Sequence, residues 1–140
     1  MRAIAFLTAG LLVIACGPGT GGNDGGSGSG PRIATFPARV DFGVDAGTPV
    51  DIGLVATATL TIKNSGSGTL TLTSVTLSGD PEFTATRPTS MDIAADAGSD
   101  VTITFSPMNV GQFSGRITIQ SNAKNVPTAG ITVMGVGKQP

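Results

Sequence analysis

The chain has 140 residues, about one domain's worth, and only 12% of them are charged, against roughly 25% in a typical soluble domain. The formal net charge is −1, with one Cys and no His, Trp or Tyr. This excludes a His-based triad, a His general base, His-ligated zinc or haem, an internal disulfide and a Cys-cluster metal site, and a charge near zero leaves no electrostatic footprint for nucleic acid.

Met1-Arg2 gives a short positive start, and Ala3 to Ile14 is an unbroken apolar or small run. Such a run is too short to span a bilayer as a helix and has the length of a signal-peptide core. It ends in Leu12-Val13-Ile14-Ala15-Cys16, which resembles the bacterial lipobox. The resemblance implies cleavage before Cys16, a diacylglyceryl group on its sulfur and an acyl chain on its new amine. The competing reading is a plain secretory signal with a chance cysteine. Two or more acyl chains anchor stably where one is marginal, so the membrane is an expected partner through Cys16. Gly17, rather than Asp, after the cysteine resembles the pattern passed on to the outer membrane.

Residues 17–31, GPGTGGNDGGSGSGP, contain no large apolar side chain. They cannot bury enough surface to offset their ordering entropy and read as a flexible tether. The GxGxxG match at Gly17–Gly22 has a lipobox before it and more Gly after it. A dinucleotide site needs a strand and a helix there, so the match is discarded. The expected organisation is a signal peptide over 1–15, a lipidated Cys and tether over 16–31, and one domain over 32–140.

Beyond Arg32 the pattern turns to period two. Leu60 and Ile62 alternate with Thr, as do Leu70 and Leu72, then Val101, Ile103 and Phe105. Ile117 and Ile119 follow, then Ile131 and Val133. Apolar residues alternating with Thr make half-buried antiparallel strands, and β-branched residues favour them. Turn signals recur every 8–12 residues, which predicts an all-β sandwich of seven or eight antiparallel strands without a disulfide. The expected core is Phe42, Leu60, Ile62, Leu70, Leu72, Leu77, Phe83, Val101, Ile103, Phe105, Phe113, Ile117, Ile119, Ile131 and Val133. Between Leu72 and Val75 the alternation slips by one, which predicts a β-bulge or a change of sheet.

Several blocks then resemble a family. They are Val40-Asp41-Phe42-Gly43, Leu60 to Leu70 with its Asn64-Ser65-Gly66-Ser67-Gly68 turn, Ser78 to Phe83, Phe105-Ser106-Pro107 with Gly111, Ser114 to Asn122, and Gly135-Val136-Gly137. Together they are similar to the ASH (ASPM, SPD-2, Hydin) type of immunoglobulin-like domain, whose bacterial members are often called choice-of-anchor D domains. The resemblance implies a sandwich related to the major sperm protein and pilus-chaperone folds, a place in surface or envelope proteins, protein interaction, and no catalytic residues. The segment 43–53 is longer than that family's usual loop.

Chemistry-bearing patterns are weak. Ser121-Asn122-Ala123-Lys124 matches S-x-x-K, but that pair needs a helix start, and this one leaves a strand. Asp92, Asp96 and Asp100 read as solvated loop residues, as do Asp41, Asp45 and Asp51; neither set has calcium-loop spacing. Gly137-Lys138 lacks the rest of a phosphate loop. Sugar binding is disfavoured without Trp or Tyr, and core packing is the better account of the phenylalanines. No cofactor and no enzyme activity are expected.

The last strand, 128–137, carries no charge, and its outward Thr132, Met134 and Val136 mark an expected partner-binding edge. The competing reading has this strand already paired on both sides. The expectation is a monomeric, lipid-anchored envelope module that binds an unidentified envelope protein. The alternatives are a pilus-chaperone-like or carbohydrate-binding module.

Overall fold

The computed structural model describes residues 29–45 and 47–140. Among these residues there are ten strands and no helix. They are β1 (Ile33–Phe36), β2 (Arg39–Phe42), β3 (Val50–Asp51), β4 (Ala56–Asn64), β5 (Leu70–Gly79), β6 (Phe83–Ala85), β7 (Asp92–Ile93), β8 (Gly98–Phe105), β9 (Gly111–Ser121) and β10 (Thr128–Lys138). One sheet has the order β1-β4-β8-β6 and the other β2-β10-β9-β5-β7, with β3 also on β10. The strand count exceeds the expected seven or eight because β3 and β7 are two-residue additions. The first strand is also divided, with β1 in one sheet and β2 in the other, joined through a cis Phe36–Pro37 bond. Not every pair is antiparallel. The divided strand runs along β10 in its own direction, so β2 and β3 pair with β10 in parallel.

The Thr/apolar alternation becomes the two faces of each strand. Thirteen of the fifteen expected core residues are buried, while Leu77 and Phe113 pack against that core from partly exposed positions. Each fully buried aliphatic or aromatic side chain stabilises by about 1.5–3 kcal/mol relative to exposure. Ile33, Val40, Ile93 and Ala123 are also buried; they lie in β1, β2, β7 and a loop, too short for a readable period.

The bulge falls where the alternation slips. Leu72 pairs with Ser121 and Ser74 with Gln120, which leaves Thr73 as the extra residue. A one-residue slip exchanges the faces of a strand. The inserted residue therefore returns Val75 and Leu77 to the inner face, opposite Ile119 and Ile117.

At one end of the sandwich the core is aromatic. The rings of Phe83 and Phe105 lie 4.7 Å apart, with Phe42 and Phe113 at 5.4 and 5.6 Å from Phe105. Room for them comes from β10, whose inward positions run Ile131, Val133, Gly135, Gly137. A Cβ at Gly135 would stand 2.7 Å from the Phe105 ring, and one at Gly137 would stand 3.3 Å from that of Phe113. The closing Gly135-Val136-Gly137 is thus a packing requirement.

The opposite end receives the chain. Asn125 exchanges two 2.9 Å bonds with the backbone of Ile33, and the Lys124 N–H donates to the Pro31 carbonyl at 2.8 Å. The fully buried Asn64 accepts from the N–H groups of Arg32 and Gly66 and donates to the carbonyls of Gly68 and Ile93. Every polar atom of its side chain is satisfied, as burial demands.

Candidate interaction surfaces

The edge expected at the last strand does not exist. β10 pairs with β9 along 128–137 on one side. On its other side it pairs with β2 over 132–135 and with β3 over 137–138. Thr132, Met134 and Val136 do face away from the core, the first exposed and the others half-buried. Their backbone cannot take an added strand, because the divided N-terminal strand already occupies that side. The missing signal is one of length: four-residue and two-residue strands show no period of their own.

The other patterns resolve into local structure. Asp41 accepts the N–H groups of Val44 and Asp45 at 2.7 and 3.0 Å, and Arg39 bridges both carboxylates at 3.5 and 2.8 Å. Gly43, which follows in the same motif, has φ +93°, and a side chain there would strike the backbone of Pro49. Val44 and Asp45 are held by this turn, and Val50 and Asp51 by β3, where Asp51 pairs with Lys138. Asp92 accepts from the Thr71 hydroxyl at 2.8 Å and Asp100 from the Thr61 hydroxyl at 2.7 Å. These two carboxylates belong to different sheets, and Asp96 sits in the turn between their strands. No group of three or more His, Cys, Asp or Glu among the described residues could hold a metal ion.

Ser121 ends β9, where its hydroxyl accepts from the Ala123 N–H at 3.3 Å, while Lys124 lies in the following loop. Asn122 binds the backbone of Thr71 and Thr69. Asn122 therefore ties the end of β9 to the start of β5 at the chain-entry end, and the Ser121 hydroxyl serves a local turn. Phe36 departs from the core account of the phenylalanines, being 78% exposed at the end of β1. Cys16 and residues 1–15 lie outside the described residues, and no helix among the described residues is long and apolar enough to cross a membrane.

Two surfaces remain that the sequence did not single out. The first is the end remote from Ile33, where Leu54, Val55, Met108 and Val110 are all more than half exposed. They lie on two loops joined by the Gly53 N–H donating to the Pro107 carbonyl at 3.0 Å. Beside them Pro81, Glu82, Thr84, Ser106 and Met108 line a shallow pocket of about 270 Å³. The second is an open stretch of sheet edge. β7 covers β5 only at Leu70 and Thr71, with one further bond from the Leu72 N–H to Met91. From Thr73 to Gly79 that side of β5 has no backbone partner among the described residues. Its composition, uncharged and without Pro, is the same signal that was read at β10.

Comparison with known proteins places this architecture. No curated protein matches the chain. A protein of unknown function from Porphyromonas gingivalis W83 has a similar structure, with a TM-score of 0.63 and 22% identity over 76% of this chain. The match takes in 46% of that protein, so the chain spans less than half its length. The ASH/PapD-like domain of human CEP192 (PapD-like domain 7) matches at a TM-score of 0.58 and 14% identity, covering 98% of this chain and 99% of that one. At such identities the likeness is one of fold, and domains of this kind are generally non-catalytic. Residues 33–136 match the model of the HYDIN/CFA65/VesB-like, Ig-like domain; the chain belongs to that family.

Proposed function

We propose that the chain is a lipid-anchored module of the cell envelope that works by protein–protein interaction. Residues 1–15 act as its signal, Cys16 carries the acyl chains, residues 17–31 serve as the tether, and the outer membrane is its location. The choice-of-anchor D resemblance accords with an envelope protein of this kind. The observation that carries the interaction role is the apolar end. Its Leu54, Val55, Met108 and Val110 side chains are gathered where the core cannot use them. Monomeric soluble proteins rarely gather exposed apolar side chains unless a partner covers them. This end is the one farther from residues 29–33, so a tethered domain presents it away from the membrane.

Two variants test the two halves separately. Wild-type protein should incorporate labelled fatty acid, and Cys16→Ala should lose both the label and the membrane fraction. A Leu54→Asp/Met108→Asp double variant should stay membrane-bound with an unchanged melting temperature and lose its cross-linked partners in whole cells. Absence of label in the wild type would overturn the anchor. Undiminished cross-linking in the double variant would overturn the apolar end.

A further inference from the structure

We infer that the chain pairs with a second copy of itself, edge to edge through β5, about a two-fold axis at Thr76. Sheet edges are normally guarded by charge, Pro or bulges, and the short strands β1, β2, β6 and β7 are. β1 lies between Pro31 and Pro37, and β2 carries Arg39 and Asp41. β6 is flanked by Pro81-Glu82 and Arg87-Pro88, and β7 carries Asp92. The stretch Thr73-Ser74-Val75-Thr76-Leu77-Ser78 of β5 has neither charge nor Pro, and its one irregularity is the bulge at its start.

The backbone of that stretch faces outward in the right phase. The Asp80 N–H donates to the Ser114 carbonyl, continuing the register in which Ser78 opposes Arg116 and Thr76 opposes Thr118. Hydrogen-bonded pairs alternate along an antiparallel ladder. The even-numbered residues therefore bond to β9, and Val75 and Leu77 turn their N–H and C=O groups to the open side.

The occupant follows from self-complementarity. Directly opposed residues of an antiparallel pair share a face, so a self-pairing must match inward with inward. The register that sets Val75 opposite Leu77 does so, and it places Ser74 opposite Ser78 and Thr76 opposite Thr76 of the second copy. Apolar side chains then meet on the core face and hydroxyls on the solvent face, both favourable cross-strand pairs, with no like charges opposed. The open window runs from Thr73 to Gly79, and its midpoint is also Thr76. β7 bounds the window at one end and the Asp80-Pro81 turn at the other, so each copy's window receives the other's. One residue thus satisfies both the face rule and the window. The interface is isologous and closed.

A seven-residue strand pair falls short of the roughly 1,200–2,000 Å² of a stable interface, so covalent trapping is the fitting test. Thr76 and its copy form a non-hydrogen-bonded pair, with Cα atoms about 4.5 Å apart, within the span a disulfide accepts. In the full-length chain in its membrane, Thr76→Cys should give a disulfide-linked dimer on mild oxidation. Ser74→Cys, whose copy lies several residues out of register, should give roughly tenfold less. Wild type reports any linkage through Cys16. A Ser74→Cys/Ser78→Cys double variant should restore the dimer by a second route and covers the case in which Thr76→Cys does not accumulate. Equal trapping of Ser74→Cys and Thr76→Cys, or no trapping of Thr76→Cys and the double variant above wild type, overturns the pairing.

Discussion

β5 and β10 carry nearly the same pattern, yet one is enclosed and the other half open. Both are uncharged over their inner stretches and alternate apolar with small polar residues. β10 has neighbours on both sides over 132–135, whereas β5 has one neighbour beyond Leu72. The lack of charge on β10 therefore suits a central strand, and the same lack on β5 leaves a strand edge unguarded. Composition describes the faces of a strand. It does not say what lies beside it.

Three paired substitutions probe that contrast. The largest effect belongs to the aromatic end that β10 encloses. Phe105→Ala removes a fully buried ring touching three others and should cost about 3–5 kcal/mol in denaturant unfolding. Leu77→Ala on the inner face of β5 should cost about 1–2 kcal/mol, since Leu77 is only partly buried. A proline scan sharpens the comparison. Met134→Pro removes an N–H that meets a neighbouring strand whichever way it points, and should cost about 3 kcal/mol. Val75→Pro removes an N–H aimed at the open edge and should cost about 1 kcal/mol, from lost packing. Equal losses in the two proline variants would show that the β5 edge is covered.

The smallest effects come from charge. Thr132→Lys sets a cation between Arg39 and Arg116 and should lower stability by about 0.5–1 kcal/mol. Within a single chain Thr76→Lys opposes only Thr118 and should change the stability of the isolated domain by less than about 0.5 kcal/mol. Melting curves at low and moderate salt separate the two, because only the former has like charges to screen.

Much of the sandwich was legible because period two speaks directly to burial. Leu60, Ile62, Ile117, Ile119 and Val133 sit where alternation put them, and the slip at Thr73 located a bulge without any structure. Ile93 and Val40 were not legible, since β7 has two residues and β2 four. The neighbours of β10 were hidden for the same reason. The surfaces were harder still: Leu54 and Met108 come together through one loop-to-loop bond between Gly53 and Pro107, and no sequence spacing encodes it.

The parallel pairing of β2 with β10 also governs how the domain answers to tension. Ile33 lies at one end of the sandwich and Lys138 at the other, so a pull between them runs along the strands. The bonds joining 39–42 to 132–135 are then loaded together in shear, whereas an antiparallel pair pulled from one end opens bond by bond. β1 adds a second brace through its four-residue ladder with β4 in the opposite sheet. The divided strand thus clamps both layers at the point where force enters, and yielding requires many bonds to fail at once.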